Sequence, residues 1–191
     1  MDIAELTRQI EEKVAPEPLI AVQGLANTIA SSDTVERLAD PVSARDWLIE
    51  SDLAAPSVEV DDRAVARLRE LRDVVRALMD ANHDGEPDPK ASAHLARLAA
   101  EHPVALAAGA DGRLAVDVAP PETVDAVIGQ MVGIVFQAQL ESQWERMKIC
   151  AADECRWAFY DRSRNRGGNW CQMDGCGNRA KNRAYRARQT R

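Results

Sequence analysis

Residues 148–191 read KICAADECRWAFYDRSRNRGGNWCQMDGCGNRAKNRAYRARQTR and hold all four cysteines of the chain. The cysteines fall as Cys150-x4-Cys155, fifteen residues, then Cys171-x4-Cys176. Two knuckles separated by a short excursion bring four sulfurs together without a long loop closure. In a cytosolic chain this pattern favours Zn²⁺ over two disulfides, because the compartment is reducing and thiolates are good soft ligands. An iron–sulfur cluster and a redox switch are the other readings; the spacing does not match the common ferredoxin runs, and nothing local argues for a switch. Four cysteine ligands close a tetrahedral shell, with no position for water, so the reading is one structural zinc. Such an ion contributes folding energy, about 10–16 kcal/mol in comparable small modules. The segment is too short to build a core of its own.

Between the pairs, Arg156–Asp161 alternates like a strand, and Gly167-Gly168 supplies a reversal. The expectation is a hairpin with Arg162, Arg164 and Arg166 at or near its tip. A helix is expected from about Cys176, with Arg179, Arg183 and Arg186 on one face and Lys181 and Arg188 on another. Ala180, Ala184 and Ala187 would pack inward. Gly175 and Gly177 flank Cys176, where close approach of backbone to metal favours absent side chains. Asn178 and Arg179, directly after the last cysteine, are candidates to orient the thiolates from outside the ligand shell.

Charge separates this stretch from the rest. Residues 148–191 carry 11 Lys+Arg against 4 Asp+Glu, a net of +7, whereas residues 1–147 carry 13 against 27, a net of −14; together they give the chain's −7. The expected organisation is therefore two units, 1–146 and 147–191. With 191 residues, 46% of them hydrophobic, the chain has enough apolar material for one domain and a small module. The longest uncharged runs are too short to span a bilayer. The acidic N-terminus has no signal-peptide pattern, which points to a cytoplasmic protein.

The first unit reads as mainly helical. Amphipathic spacing marks residues 2–14 through Ile3, Leu6, Ile10 and Val14, and residues 19–30 through Leu19, Val22, Ala26 and Ile29. Ser43 is the expected cap of a third helix carrying Trp47 and Leu48. Asp61–Ala81 is the clearest helix, with Val65, Leu68, Leu71, Val75, Leu78 and Met79 in a stripe and five arginines on its other faces, read as a solvated face paired with Asp62, Glu70 and Asp73. A short helix over 90–101 and a hairpin of Val104–Ala108 with Arg113–Val118 follow. A long, central helix is expected from Pro120-Pro121-Glu122. The fold class expected is mainly α with a small β-hairpin, followed by a zinc module of hairpin plus helix.

At this point the motifs resemble a known family. Cys176-Gly177-Asn178-Arg179, the upstream Cys-x4-Cys, and the segments RWAFYDRSRN and NWCQMDGCGNRAKNRAYRAR are similar to the CGNR zinc finger. The first unit, through Gly24-Leu-Ala-Asn-Thr28, Trp47-Leu48 and Leu68-Arg-Glu-Leu-Arg72, resembles the ABATE domain that usually precedes that finger. The resemblance implies zinc, DNA binding, and a stress-induced transcription regulator of bacteria, a role that is itself inferred for the family.

The residues themselves agree with nucleic acid. Arginine and lysine neutralise phosphates and release counterions, and an exposed helix can enter a major groove. The expected contacts are Arg162, Arg164, Arg166, Arg179, Lys181, Arg183, Arg186 and Arg188. Trp157, Phe159, Tyr160, Trp170 and Tyr185 could stack on unpaired bases, but most are expected in the small core around the metal. The alternative is an adaptor for RNA or a protein partner. In the DNA-binding reading the first unit would sense an effector or mediate homodimerisation. Its acidity could also shield the finger. His83, His94 and His102 are isolated, and there is no phosphate-binding glycine loop, nucleophile elbow or HExxH pattern, so no enzymatic activity is expected.

Overall fold

The computed structural model describes residues 13–29, 35–83 and 85–189, without the side chains of Ala184, Ala187 and Arg188. Of the first amphipathic stretch, Ile3, Leu6 and Ile10 lie outside the described residues. The described chain runs α1 (Ile20–Ala26), α2 (Pro41–Glu50), α3 (Asp62–Ala81), α4 (Pro89–Glu101), a hairpin of β1 (Leu106–Ala108) and β2 (Leu114–Val116), then α5 (Val124–Leu140). A 3₁₀ turn (Trp144–Arg146) leads into a second hairpin, β3 (Met147–Ile149) with β4 (Ala158–Tyr160). One π-turn (Met173–Gly177) opens the last helix, α6 (Asn178–Gln189). The chain is thus mainly helical, with two small antiparallel hairpins.

Helix starts follow local chemistry. Asp40, Asp61 and Asp88 cap α2, α3 and α4, each accepting from a backbone N–H in the first turn. Ser43 is therefore not the cap of α2 but the donor to Asp40, because Pro41 takes the first helical position. Likewise α5 starts at Val124 under a Thr123 cap, after the two prolines rather than on them. Its residues Val127, Ile128, Met131, Ile134 and Val135 are buried, which makes it the central helix, while Phe136 and Leu140 stay exposed. No helix among the described residues is long and apolar enough to cross a membrane.

Of the arginines of α3, Arg69, Arg72 and Arg76 do not form a solvated face, whereas Arg63 is exposed. Arg72 is 5% exposed and pairs with Glu36 at 2.6 Å. Arg69 donates to the carbonyls of Leu38 and Ala39 at 2.8 Å each. Arg76 donates to Ala26 O at 2.6 Å and Arg156 O at 2.8 Å, and its burial lowers its pKa. Long guanidinium side chains reach loops that a helical wheel does not show, and their stems cover apolar surface on the way.

The second hairpin belongs to two cores at once. Its register opposes Met147 to Tyr160, Lys148 to Phe159 and Ile149 to Ala158. Opposed residues share a face and neighbours alternate. Met147, Ile149, Ala158 and Tyr160 accordingly join the core built by Leu25, Leu71, Val75 and Met79. Phe159 points the other way and packs with Cys150, Ala152, Cys171 and Cys176.

Polar contacts finish the seam. Asn27 on the C-terminal end of α1 accepts from Ala158 N at 2.8 Å and donates to Ala158 O at 2.9 Å, pairing with β4 as a neighbouring strand would. Gln23, fully buried, donates to the same carbonyl at 3.1 Å. Asn82 donates to Trp144 O and Met147 O at 2.8 Å, and His83 meets Ile149 O through Nε2. His83 is thus a seam residue; His94 is exposed and His102 is buried.

Candidate metal centre and basic surface

Each cysteine is set by a backbone device. Cys150 follows β3 directly, and its N–H donates to Trp157 O at 2.8 Å, closing the hairpin tip. Inside that tip Cys155 N and Arg156 N both reach Ala152 O, at 2.8 and 3.0 Å, and Arg156 turns the chain at φ 51°. Ala151 N donates to Asn169 O at 2.9 Å, which brings in the strand of chain leading to Cys171. Cys176 sits in the π-turn at the N-terminus of α6, where the helix dipole favours a thiolate.

The four sulfurs lie within 4.8 Å of one another, with Cys155–Cys171 at 3.6 Å and Cys171–Cys176 at 3.8 Å. A tetrahedron with metal–sulfur bonds of about 2.3 Å has edges of about 3.8 Å, whereas a disulfide would need about 2.05 Å. None of the four is in a disulfide. Cys150, Cys171 and Cys176 are buried and Cys155 is half-buried. The donor set fits a single structural zinc ion, held by Cys150, Cys155, Cys171 and Cys176. Without a cation the sulfurs cannot all ionise side by side. Hydrogen bonding from Cys155 and Cys171 brings the Cys150 thiol down to about 2, while Cys155, bonded to Cys150, is pushed up to about 12. Hydrogen bonding to Cys150 and Cys155, with burial, pushes Cys171 up as well. A divalent cation removes that conflict, since it favours all four thiolates together.

Around the sulfurs the packing is tight. Arg179 donates from Nη2 to Cys176 Sγ at 3.1 Å, and the sulfur's charge raises the arginine's pKa. Asn178 donates to Asp174 O at 3.3 Å rather than to a sulfur. A Cβ on Gly177 would lie 2.5 Å from Met173 Sδ and 3.2 Å from Trp170 Cδ1, so these two side chains crowd any residue larger than glycine there. Phe159, Trp157 and Trp170 pack with the cysteines, Tyr160 faces the helical core, and Tyr185 is exposed.

The arginine-bearing excursion differs from the expected hairpin. The tip of the β3–β4 hairpin is the first cysteine knuckle, and Arg162, Arg164 and Arg166 lie on a loop after β4. Asp161, fully buried, closes that loop by accepting from Ser163 N at 2.9 Å and Gly168 N at 2.7 Å. The buried Lys148 lies 3.6 Å from Asp161 and donates to Arg166 O. Burial alone would raise the Asp161 carboxyl, but hydrogen bonding from Ser163 and Gly168 and the Lys148 charge together hold it below the usual carboxylate value. A buried carboxylate organises this loop, where glycine turn chemistry alone was expected to do so.

The loop and α6 use their basic groups unequally. Arg162 donates to Val14 O at 2.8 Å and lies over the Tyr160 ring, and Arg166 contacts Glu145 at 3.3 Å. On α6, Glu154 from the first knuckle takes Arg183 through both oxygens at 3.2 Å and Arg179 at 3.4 Å. Arg164, Lys181 and Arg186 are exposed, and the Arg188 side chain lies outside the described residues. Sequence reading missed Glu154 and Asp161. Their partners are far along the chain, and no local spacing marks a pair made by two knuckles folding together.

Comparison with known families agrees with this layout. A family model named ABATE, with the description "Putative stress-induced transcription regulator", matches residues 21–139. The CGNR zinc finger matches residues 146–189, which contain all four cysteines. A search of curated proteins gave no match.

Proposed function

The chain belongs to the ABATE family and ends in a CGNR zinc finger, and from that premise we propose that it regulates transcription by binding duplex DNA through the finger, without catalysing a reaction. The helical unit either senses an effector or pairs two copies of the chain. The observation that carries this reading is a zinc-type cysteine cluster with exposed basic side chains on both elements attached to it, the 162–166 loop and α6. The chemistry fits phosphate: guanidinium groups give paired hydrogen bonds, and neutralising phosphates releases counterions. The metal's part is structural, holding loop and helix at one point; recognition falls to the arginines and to Lys181.

Binding of the zinc-loaded chain to a short duplex across a salt series tests this. With six or more of these cations engaged, affinity is expected to fall about 10³-fold or more between about 50 and 200 mM salt. Arg164→Ala and Lys181→Ala should each weaken binding to all sequences and flatten the salt slope by about one. No retention of duplex, or retention insensitive to salt, overturns the reading. Exposed Tyr185 offers a ring to an unpaired base. Single-stranded RNA out-competing duplex at equal phosphate would therefore move the target to RNA.

A further inference from the structure

A cavity of about 550 Å³ opens on the side of the helical unit, between the chain entering α1, the turn after α2, strand β2 and α5. Its size is that of a small-molecule site. The floor is apolar, formed by Leu53, Val116 and Ile134, which are 6%, 7% and 2% exposed. Two acids, Glu17 and Asp52, line it nearer solvent, and none of the described lining residues is Lys, Arg or His.

The remaining polar groups offer mainly acceptors. Gln130 uses its Nε2 on the carbonyls of Asp117 and Ala119, at 2.9 and 3.1 Å, which leaves Oε1 for an occupant. Gln137 similarly donates to Glu141 at 2.9 Å. Carboxylates and amide oxygens over an apolar floor repel phosphates and carboxylates and suit a donor-rich cation on a hydrocarbon body.

We propose that this cavity binds a small organic cation, an amine or amidine carried on an apolar or aromatic frame. The inference names the effector class for the sensing role and rests on that reading of the helical unit. The cavity is also well placed for that role. Ile20 and Ala21 of α1 line it, and within the next two turns Gln23 on the same helix and Asn27 at its C-terminal cap hold Ala158 of the finger hairpin.

The test is calorimetric titration of the zinc-loaded full chain, without nucleic acid, with three probes sharing one frame: phenylbutylamine, phenylbutanol and phenylbutyrate. The amine is expected to bind about tenfold more tightly than the alcohol, and the carboxylate more weakly than either. The double variant Glu17→Gln, Asp52→Asn should bring the amine down to the alcohol. Asparagine tolerates the left-handed backbone of Asp52, φ 56°. Binding of none of the three, a carboxylate equal to or better than the amine, or a preference that survives the double variant overturns the proposal. Duplex retention is read in a separate experiment, so loss of the amine site and loss of the nucleic-acid reading are distinguishable.

Discussion

Asn27 shows how much one side chain can do at the junction. Its amide copies the hydrogen-bonding pattern of a strand and satisfies both backbone groups of Ala158, at 2.8 and 2.9 Å, in a place water does not reach. Asn27→Ala strands the buried Ala158 N–H, while Gln23 still donates to the Ala158 carbonyl. A loss of about 1–3 kcal/mol is expected, read as a lower urea midpoint and faster hydrogen exchange at the Ala158 amide. Asp161 is the second such residue. Asp161→Asn leaves the 2%-exposed Lys148 charge without its carboxylate. Removing one partner of a buried pair typically costs about 3–5 kcal/mol, so the variant should fall well below the wild type in thermal unfolding. Wild-type stability in Asp161→Asn would mean the loop does not depend on this pair.

At the scale of elements, the π-turn and α6 are coupled through Gly177. An added methyl there meets Met173 and Trp170 at 2.5 and 3.2 Å. Met173 is 46% exposed and its thioether can swing aside, so Gly177→Ala, pressing mainly on Trp170, is expected to cost about 1 kcal/mol and to speed loss of zinc to a chelator, followed with a chromogenic dye. A retention half-life unchanged from wild type would show that the turn can relax. The same helix carries a prediction about affinity. Glu154 occupies Arg179 and Arg183 much as a phosphate oxygen pair would. These are exposed ion pairs, so their hold is weak. Glu154→Gln should raise duplex affinity about two- to fivefold and steepen the salt slope as the two arginines are released. An unchanged slope would mean that the carboxylate does not compete with phosphate.

Over the whole molecule, the shared hairpin makes the metal centre and the helical core one stability unit. Met147, Ile149, Ala158 and Tyr160 pack on the helical side while Phe159 packs on the cysteines. Stripping zinc should therefore lower the single thermal transition of the full chain by at least about 10 °C, and circular dichroism should lose helix and finger together. Two separate transitions, with the helical one unmoved, would show that the units fold independently. Legible in the residues alone were the cysteine spacing, which favours zinc over disulfides, the −14 to +7 charge split, and the helical periods of Asp61–Ala81 and of the apolar run through Ile134. Those are signals carried within a few residues or within a composition. The rest depends on parts distant along the chain meeting: Arg76 on Ala26 and Arg156, Asn27 on Ala158, Glu154 on Arg183, and the cavity between α1 and α5. No local rule encodes them. A hydrogen bond between residues 131 apart in sequence exists only once burial has brought the two segments together and excluded the water that would otherwise satisfy each.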